Sequence, residues 1–310
     1  MFKGRHQVDV MLVPAPPAQE AVVAACADAD LVIADRRHQH HIDRTVIENM
    51  SHCKLIQQAA VGFDTVDHRA AAAHGIPVAN AAGYNRQSVA DWTVMAMIAL
   101  IRRSFWGDRQ LRAGRWDNSD LMRGEEMTGR ELGAMTVGII GLGNVGTCVA
   151  RRVAAFGSRL LFTDLQTRDS SDAIQVDLDS LLRESDIVCL HVPLDVGTAG
   201  LIDAGALAKM KPGSYLVNAA RGPIVDEIAL IESLRSGHLA GAALDVFELE
   251  PLPTDSPLRS MESVVLAPHR AGATIEAEVR LTEMVSENLL RVLDGLPPLN
   301  VVNAVEAKLT

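Results

Sequence analysis

The sequence is poor in aromatic residues: six Phe, three Trp and two Tyr make up 4% of its 310 residues. Platforms that stack nucleic-acid bases or sugar rings need such side chains, so the composition disfavours both. Basic residues are also scarce, with 29 Lys and Arg against 39 Asp and Glu and a formal net charge of −10. An acidic surface repels phosphate backbones, which argues against nucleic acid as a partner.

Cysteine is scarce as well. The four cysteines, Cys26, Cys53, Cys148 and Cys189, are far apart and form no CxxC pair. This spacing predicts neither a disulfide framework nor a zinc site, and it favours a reducing, cytoplasmic location. Three histidines at positions 38, 40 and 41 are interpreted as part of a solvated loop, and no metal site is predicted.

Long apolar runs are missing. The longest, 94–101, is far short of the roughly 20 residues that cross a bilayer. Asp9 interrupts the first apolar run, so no secretory signal is visible. We therefore expect no membrane partner.

Strand-like and helix-like runs alternate along the whole chain, and 48% of the residues are hydrophobic. This alternation is typical of an α/β protein with parallel sheets, and the length suggests about two domains. Strands are predicted at 8–13, 31–34, 55–59, 136–140, 159–163, 186–191, 215–218 and 263–266. Helices are predicted at 19–27, 66–74, 88–103, 149–156, 178–183 and 273–293, with Ser88 as an N-cap and an irregular stretch over 107–128.

A glycine-rich turn follows the strand-like run 136–140 and reads Gly141-Leu142-Gly143-Asn144-Val145-Gly146. This is the GxGxxG pattern in its required context, with a strand before it and a helix after it. The first glycine allows the tight turn, the second lets a pyrophosphate approach the backbone, and the third lets helix and strand pack closely. The turn predicts a dinucleotide site at a helix N-terminus.

Asp164 ends the next predicted strand, eighteen residues after Gly146. A carboxylate here can accept hydrogen bonds from the adenosine ribose and would repel the extra phosphate of NADP, so NAD is favoured over NADP. Arg168 lies four residues on and could soften that preference. Val192, Pro193 and nearby Thr198 follow another predicted strand and are candidates for the nicotinamide half, or else form an ordinary turn.

Four blocks of sequence carry a resemblance to a known family. They are the block 61–64 (VGFD), the fingerprint 141–146 with Asp164, the block 217–226 (VNAARGPIVD), and the block 241–251 (GAALDVFELEP) followed by Ala-Pro-His at 267–269. Together they resemble the D-isomer-specific 2-hydroxyacid dehydrogenases over nearly the full length of the chain.

The resemblance implies three catalytic residues, Arg221, Glu250 and His269. A guanidinium offers a fixed fork of donors for a substrate carboxylate and a neighbouring carbonyl oxygen. Imidazole titrates near neutrality and can exchange a proton with the substrate. Only the family pattern selects Glu250, and not Glu248, as the carboxylate that pairs with His269 and orients its ring.

The resemblance also implies binding residues. Val61 and Gly62 would offer backbone N–H groups to the substrate carboxylate, beside Arg221 and His269. Asp245 would lie near the nicotinamide carboxamide. The complete cofactor set implied is Gly141, Gly143, Asn144, Val145, Gly146, Asp164, Val192, Pro193, Thr198, Ala219, Ala220, Arg221, Asp245, His269 and Gly272.

The sequence departs from the family pattern at some positions. Arg270 follows His269 where an aliphatic residue is usual. It either adds a second cation for an acidic substrate or points into solvent. Trp92, Tyr84 and Phe63 are interpreted as shaping an unusual pocket or a dimer contact.

The fingerprint begins far from residue 1, so one domain is expected to interrupt the other. We predict a Rossmann-type NAD-binding domain, 104–270, inserted in a discontinuous flavodoxin-like substrate domain formed by 1–103 and 271–310, with NAD and substrate held in the cleft. The family also implies a homodimer, with the helix 88–103 as a candidate contact.

The implied activity is the NAD-dependent interconversion of a D-2-hydroxy acid and a 2-oxo acid, such as glyoxylate or hydroxypyruvate. The alternatives are an NAD(H)-sensing, corepressor-like binding protein on the same scaffold, and a dehydrogenase of a phosphonate or inorganic oxyanion. A formate-specific enzyme is disfavoured because its pattern lacks the glutamate at the place of Glu250.

Overall fold

The computed structural model describes residues 6–13, 18–36, 40–116 and 128–305. The chain divides into two compact units: Met1–Asn85 with Thr274–Thr310, and Arg86–Ala273. In chain order the elements are α1 (Gln19–Cys26), β1 (Leu31–Ala34), α2 (Arg44–Glu48), β2 (Leu55–Gln58), α3 (His68–Ala73), β3 (Val78–Ala79), α4 (Arg86–Ile101), α5 (Ser104–Arg112), β4 (Thr136–Ile140), α6 (Asn144–Ala154), β5 (Arg159–Thr163), β6 (Ile174–Gln175), α7 (Leu178–Glu184), β7 (Ile187–Leu190), α8 (Ala204–Lys209), β8 (Ser214–Asn218), α9 (Glu227–Arg235), β9 (Leu239–Leu244), β10 (Val264–Leu266) and α10 (Ile275–Leu293).

The first unit contains a parallel sheet of three described strands in the order β1-β2-β3. The central strand β2 is buried along its whole length, including the two polar residues Gln57 and Gln58. Asn288 of α10 donates its side-chain N–H to the Gln57 side chain at 2.7 Å, so the buried amide is satisfied and α10 is fixed to the sheet.

The second unit contains a seven-stranded parallel sheet in the order β10-β9-β8-β7-β4-β5-β6. Apolar clusters cover both of its faces, which is why its central strands β4 and β7 are nearly continuous hydrophobic runs. The chain runs outward from β4 through β5 to β6 and then returns to β7 on the other side of β4. Ligands bind at the carboxyl edge of such a sheet, beside the point where the strand order reverses.

Aspartate N-caps start five of the helices. In each case the side chain accepts a hydrogen bond from the backbone N–H three residues later; these caps are Asp43, Asp67, Asp177, Asp203 and Asp226. Thr274 caps α10 in the same way. Such local bonds satisfy donors that the helix cannot pair itself, so the sequence fixes these helix starts directly.

Three sequence-based assignments are wrong. The run 8–13 is not a strand: the side chains of Val10, Met11 and Leu12 are exposed, and an apolar run without a partner strand leaves its backbone groups unpaired. Ser88 is not an N-cap, since α4 already begins at Arg86 and Ser88 is buried within it. A helix, α5, also covers the start of the stretch predicted to be irregular.

Helix α5 escaped prediction because its residues are mostly polar. It begins after Arg103, whose left-handed backbone conformation (φ 49°) ends the helical path of α4 and changes the direction of the chain. An ion pair between Asp108 and Arg112, at 2.8 Å and one turn apart, supports it. Residues 117–127 of that predicted irregular stretch lie outside the described residues.

The boundaries between the units fall at 85/86 and 273/274, whereas the sequence predicts them at 103/104 and 270/271. The second boundary differs by three residues and the first by eighteen. The difference at the first boundary is α4, whose buried residues pack in the core of the second unit with those of β4 and α6. Arg152 of α6 also bonds Asp91 of α4 at 2.7 Å. In the described part of the chain, no helix is long and apolar enough to span a membrane.

Candidate nucleotide and catalytic site

The glycine fingerprint forms the turn between β4 and α6. Gly141 has φ 92°, and a Cβ there would lie 2.7 Å from the backbone oxygen of His191 after β7. A Cβ at Gly146 would lie 2.1 Å from the Gly141 carbonyl oxygen, whereas a Cβ at Gly143 would meet open space. No side chain caps α6, so the first-turn N–H groups of Asn144 and Val145 face an uncapped end. This cradle fits a nucleotide phosphate.

Asp164 follows β5 at the same sheet edge. Its Oδ2 accepts hydrogen bonds from the Leu142 backbone N–H, at 3.0 Å, and from Arg168 Nε, at 2.8 Å. Partial burial raises the pKa of Asp164, but its backbone hydrogen bonds and the Arg168 guanidinium outweigh this and leave the pKa below its ordinary value. The carboxylate is therefore charged at neutral pH and close to the nucleotide turn.

The loop after β7 contains the candidates Val192, Pro193 and Thr198. A Cβ at Gly141 would touch the Val192 side chain, so this loop adjoins the fingerprint. The Thr198 hydroxyl donates to the Pro193 carbonyl oxygen at 2.6 Å and accepts from the Asp195 N–H at 2.8 Å. Thr198 thus closes the loop, and its contact with a cofactor stays a prediction.

Arg221 lies in a loop that starts where β8 ends, and Asn218 holds this loop. The Asn218 side chain accepts from the Ala220 N–H at 3.0 Å and donates to the Arg221 carbonyl oxygen at 2.9 Å. Asn218 is itself 1% exposed. The candidate cofactor residues Ala219 and Ala220 are therefore fixed by a side chain whose role the sequence analysis missed, although it lies inside the recognised motif.

Glu250 and His269 are in contact. Nδ1 of His269 lies 2.7 Å from Oε2 of Glu250, and Oε1 of Glu250 accepts from the Phe247 backbone N–H at 3.1 Å. Glu248 makes a different contact: its backbone N–H donates to the side-chain carboxylate of Glu227. The structure thus contains the pairing that the sequence pattern selects, and both side chains are partly exposed.

Asp245 fixes the backbone around His269. Its carbonyl oxygen accepts from the His269 N–H at 2.8 Å, and its carboxylate accepts from the N–H groups of Arg270, at 2.7 Å, and Ala271, at 2.8 Å. His269 has φ 51°, a left-handed conformation that is costly for a residue with a side chain. The three bonds hold that conformation, and Gly272 follows directly after them.

The charges of this cluster influence one another. Partial burial raises the pKa of Glu250, but the His269 hydrogen bond, the His269 charge, the Phe247 N–H and the Arg221 charge together leave it lowered. Burial raises the pKa of Asp245, partly offset by its two backbone hydrogen bonds. The Arg221 guanidinium therefore acts on Glu250 electrostatically, and its Nη1 donates to the Ala220 carbonyl oxygen at 2.7 Å.

Val61 and Gly62 belong to the first unit, in the loop after β2. The Asn80 side chain donates to the Val61 carbonyl oxygen at 2.7 Å, and the Ala81 N–H donates to Ala60. This loop is thus tied to the end of β3. Asn80 is a second positioning residue that the sequence analysis missed, because an isolated asparagine carries no motif.

The remaining unusual residues have contacts within their own units, and their role in a pocket or a dimer contact stays a prediction. Trp92 packs against the core of the second unit, Tyr84 is buried in the first, and Phe63 contacts His68 edge-on at 5.2 Å between ring centroids. His40 lies 3.1 Å from Asp35, and His38 is outside the described residues. Among the described residues, no group of His, Cys, Asp or Glu could hold a metal ion.

The second unit thus combines a parallel doubly wound sheet, a phosphate-binding turn and a Glu–His pair at the carboxyl edge, which together define a dinucleotide-dependent α/β oxidoreductase. Residues 94–271 match the profile of the D-isomer specific 2-hydroxyacid dehydrogenase, NAD binding domain. The chain belongs to this family, as the four sequence blocks indicated, and the predicted fold class and NAD as cofactor are confirmed.

Similar proteins with a curated description or a solved structure include a reductase and two dehydrogenases. A glyoxylate reductase of Thermofilum pendens is 40% identical over 93% of this chain and 85% of its own length. The holo form of D-mandelate dehydrogenase from Rhodotorula graminis superposes with a TM-score of 0.86 at 29% identity, covering 93% of this chain and 88% of that one. An NAD-dependent formate dehydrogenase from Staphylococcus aureus, in complex with NAD, superposes with a TM-score of 0.81 at 36% identity over 90% and 83% of the two chains.

Proposed function

We propose that this protein is an NAD-dependent dehydrogenase that interconverts a small D-2-hydroxy acid and the corresponding 2-oxo acid. The observation that carries the proposal is the Glu250–His269 pair, at 2.7 Å, in the unit that also holds the nucleotide turn. When bound, the nicotinamide supplies or accepts the hydride. The protein's own residues orient the substrate and move the proton.

Arg221 is proposed as the substrate-orienting residue. Its planar guanidinium can form two parallel hydrogen bonds to a carboxylate and a neighbouring carbonyl oxygen. The Asn218 bonds hold the loop that presents it. A positive charge beside the substrate carbonyl stabilises the negative charge that develops on its oxygen as the hydride arrives. Val61 and Gly62 are proposed as backbone donors to the substrate carboxylate.

His269 is proposed as the residue that gives the substrate oxygen its proton during reduction and takes it back during oxidation. Nδ1 faces Glu250, which leaves Nε2 for the substrate. The Glu250 carboxylate stabilises the imidazolium form and fixes the ring. Asp245 holds the backbone from which the ring projects.

The substrate is proposed to be a small 2-oxo acid of the glyoxylate or hydroxypyruvate type. The test is NADH oxidation with glyoxylate, hydroxypyruvate, pyruvate, phenylpyruvate and dicarboxylic 2-oxo acids. Turnover of one or more is expected, and His269→Ala should lower kcat about 10² to 10⁴-fold while NADH still binds. Full activity of this variant would show that another group transfers the proton.

The alternative functions give different results in the same assay. Tight NADH binding without turnover of any 2-oxo acid would favour the NAD-sensing binding protein. Turnover of a phosphonate or inorganic oxyanion alone would favour the oxyanion dehydrogenase. The intact Arg221, Glu250 and His269 constellation favours the 2-hydroxy acid enzyme.

We also propose a homodimer in a reducing, cytoplasmic environment. The four cysteines are all unpaired, as suits such an environment. Helix α4, the contact suggested by the sequence, is largely buried in its own unit, but Met95 on it and Phe105 and Leu111 on α5 are exposed. Light scattering of the purified protein should give twice the 33.3 kDa chain mass; a monomer at micromolar concentration would exclude the dimer.

A further inference from the structure

The Asp164 carboxylate, which is expected to bind ribose, already accepts three hydrogen bonds from the protein itself. Oδ2 accepts from the Leu142 N–H and from Arg168 Nε, and Oδ1 accepts from the Gln166 N–H at 3.1 Å. A carboxylate has about four lone-pair sites. Three of them are therefore already used by the protein itself.

A ribose diol needs two acceptor sites on this carboxylate if both hydroxyls are to donate to it. The Leu142 bond belongs to the fingerprint turn and the Gln166 bond to the loop backbone, so neither is easily released. The Arg168 guanidinium is 38% exposed and sits on a flexible side chain, so it is the partner that can leave. Binding of NAD through both hydroxyls thus competes with the Asp164–Arg168 ion pair.

A cavity of about 390 Å³ lies beside this ion pair. Arg168 lines it together with Arg151 of α6, Ser170 and Ser171. Two arginines and two hydroxyls are the donors that a phosphate monoester prefers. Asp169 and Asp172 also line the cavity, and all four charged residues are exposed. Solvent screens the aspartates at a distance, whereas arginines in direct contact with a phosphate keep their charge-assisted hydrogen bonds.

We propose that Arg168 gives this nucleotide site substantial affinity for NADP(H) as well as NAD(H). In the NADP complex, Arg168 leaves Asp164 and binds the 2′-phosphate in the cavity, with Arg151 as the second cation. This assignment rests on the proposed dinucleotide-dependent function. It extends the expectation that Asp164 favours NAD and that Arg168 softens this preference, because the two cations Arg168 and Arg151 would offset the repulsion between the Asp164 carboxylate and the 2′-phosphate.

The test measures the direct binding of NADH and of NADPH to the apo protein, detected by nucleotide fluorescence or by calorimetry. The wild type should bind NADPH within about tenfold of its NADH affinity. Arg168→Ala should raise the NADPH Kd about tenfold and leave the NADH Kd unchanged or lower, the loss expected for one charge-assisted contact. Arg151→Ala should weaken the binding of NADPH and leave the binding of NADH unchanged.

The matched control is Arg183→Ala. Arg183 also pairs with an aspartate one turn away, Asp179, at 3.5 Å, and it does not line the cavity. This variant should leave both Kd values unchanged. Thermal stabilisation by 2′,5′-ADP, compared with ADP, gives a second reading that needs no activity: the extra stabilisation should disappear in Arg168→Ala.

Three results would overturn the proposal. A wild type that binds NADH at least a hundredfold more tightly than NADPH would do so, as would an Arg168→Ala variant in which both Kd values change equally. In either case NADH binding and turnover would leave the proposed dehydrogenase function standing. Failure of both nucleotides to bind would remove the proposed function and this inference together.

Discussion

Nδ1 of His269 lies 2.7 Å from Oε2 of Glu250, while the other carboxylate oxygen of Glu250 accepts from the Phe247 backbone N–H. The carboxylate is thus anchored on one side to its own loop and presents its second oxygen to the imidazole. Burial raises the pKa of Glu250, but the His269 hydrogen bond, the Phe247 N–H and the neighbouring charges together lower it. Glu250 therefore carries its charge throughout the neutral range.

Replacement of Glu250 by Gln should lower kcat about 10- to 100-fold, because the amide keeps the size but no longer stabilises a protonated imidazole. Glu248→Gln, two residues away in the same loop, is the matched control and should keep wild-type kcat. The measurement is kcat at saturating NADH and 2-oxo acid. Equal effects of the two substitutions would show that the Glu250–His269 contact has no catalytic consequence.

The lowered pKa of Glu250 also has a pH consequence for the folded state. Since its pKa is lower in the folded than in the unfolded chain, its contribution to stability is complete above an unfolded pKa of about 4.3 and is lost as the pH falls through the folded value. The difference in unfolding free energy between the wild type and Glu250→Gln should be constant above pH 5 and shrink below about pH 4. A difference that grows on acidification would contradict the assigned direction.

Gly222 couples the Arg221 loop to the Glu250 loop. A Cβ at Gly222 would lie 1.9 Å from the Phe247 carbonyl oxygen and 2.5 Å from the Glu248 nitrogen. Gly222→Ala must therefore displace one of the two loops, with an expected loss of about 1–3 kcal/mol in unfolding free energy and a reduced kcat. Chemical unfolding and steady-state kinetics measure both.

The control for this substitution is Gly107→Ala in α5. A Cβ at Gly107 would meet no atom within 4 Å. Alanine also favours the helix by up to about 1 kcal/mol relative to glycine, so this variant should be as stable as the wild type or slightly more stable. If Gly222→Ala behaves like Gly107→Ala, the two loops are not sterically coupled.

His191 should make the folded state sensitive to mild acid. Its Nε2 is buried and has no hydrogen-bond partner among the described residues, and burial lowers the pKa of His191 to about 4. The unfolded chain binds a proton near pH 6.5 and the folded chain does not, so stability is lost as the pH falls from about 6.5 to about 4. The loss should be roughly 2 to 3 kcal/mol.

Urea unfolding of the wild type and of His191→Leu at pH 7.5 and pH 4.5 measures this effect. The variant should lose less stability between the two pH values than the wild type. His52→Leu, at an exposed position, serves as the control and should follow the wild type. An unchanged pH dependence in His191→Leu would mean that the buried imidazole is not the titrating group.

Arg270 is exposed, and its backbone N–H donates to the Asp245 carboxylate. A solvated guanidinium adds little to substrate binding, so Arg270→Leu should change the preference for dicarboxylic over monocarboxylic 2-oxo acids less than twofold. The KM values of both substrate types measure this. A tenfold rise in KM confined to dicarboxylic substrates would instead assign Arg270 as a second cation for the substrate.

Much of the second unit could be predicted from local patterns. The glycine fingerprint, the aspartate N-caps and the apolar strand runs each express short-range physics, so the turn at Gly141 and most element positions follow from the sequence. The polar helix α5 and the unpaired run 8–13 could not be predicted in this way. Helix formation by polar residues and strand formation by apolar ones both depend on partners that are distant along the chain.

The sequence by itself determined the family, the α/β fold class and the identity of the candidate residues Arg221, Glu250 and His269, because their motifs are contiguous and ordered along the chain. Only the tertiary structure decided how these residues are held. Contacts between loops that follow different strands give Asn218, Asp245 and Gly222 their roles. The Asp164–Arg168 pair bears on cofactor choice only because it lies beside the cavity lined by Arg151. Such contacts arise when a parallel sheet brings its carboxyl ends to one edge, which no local sequence pattern encodes.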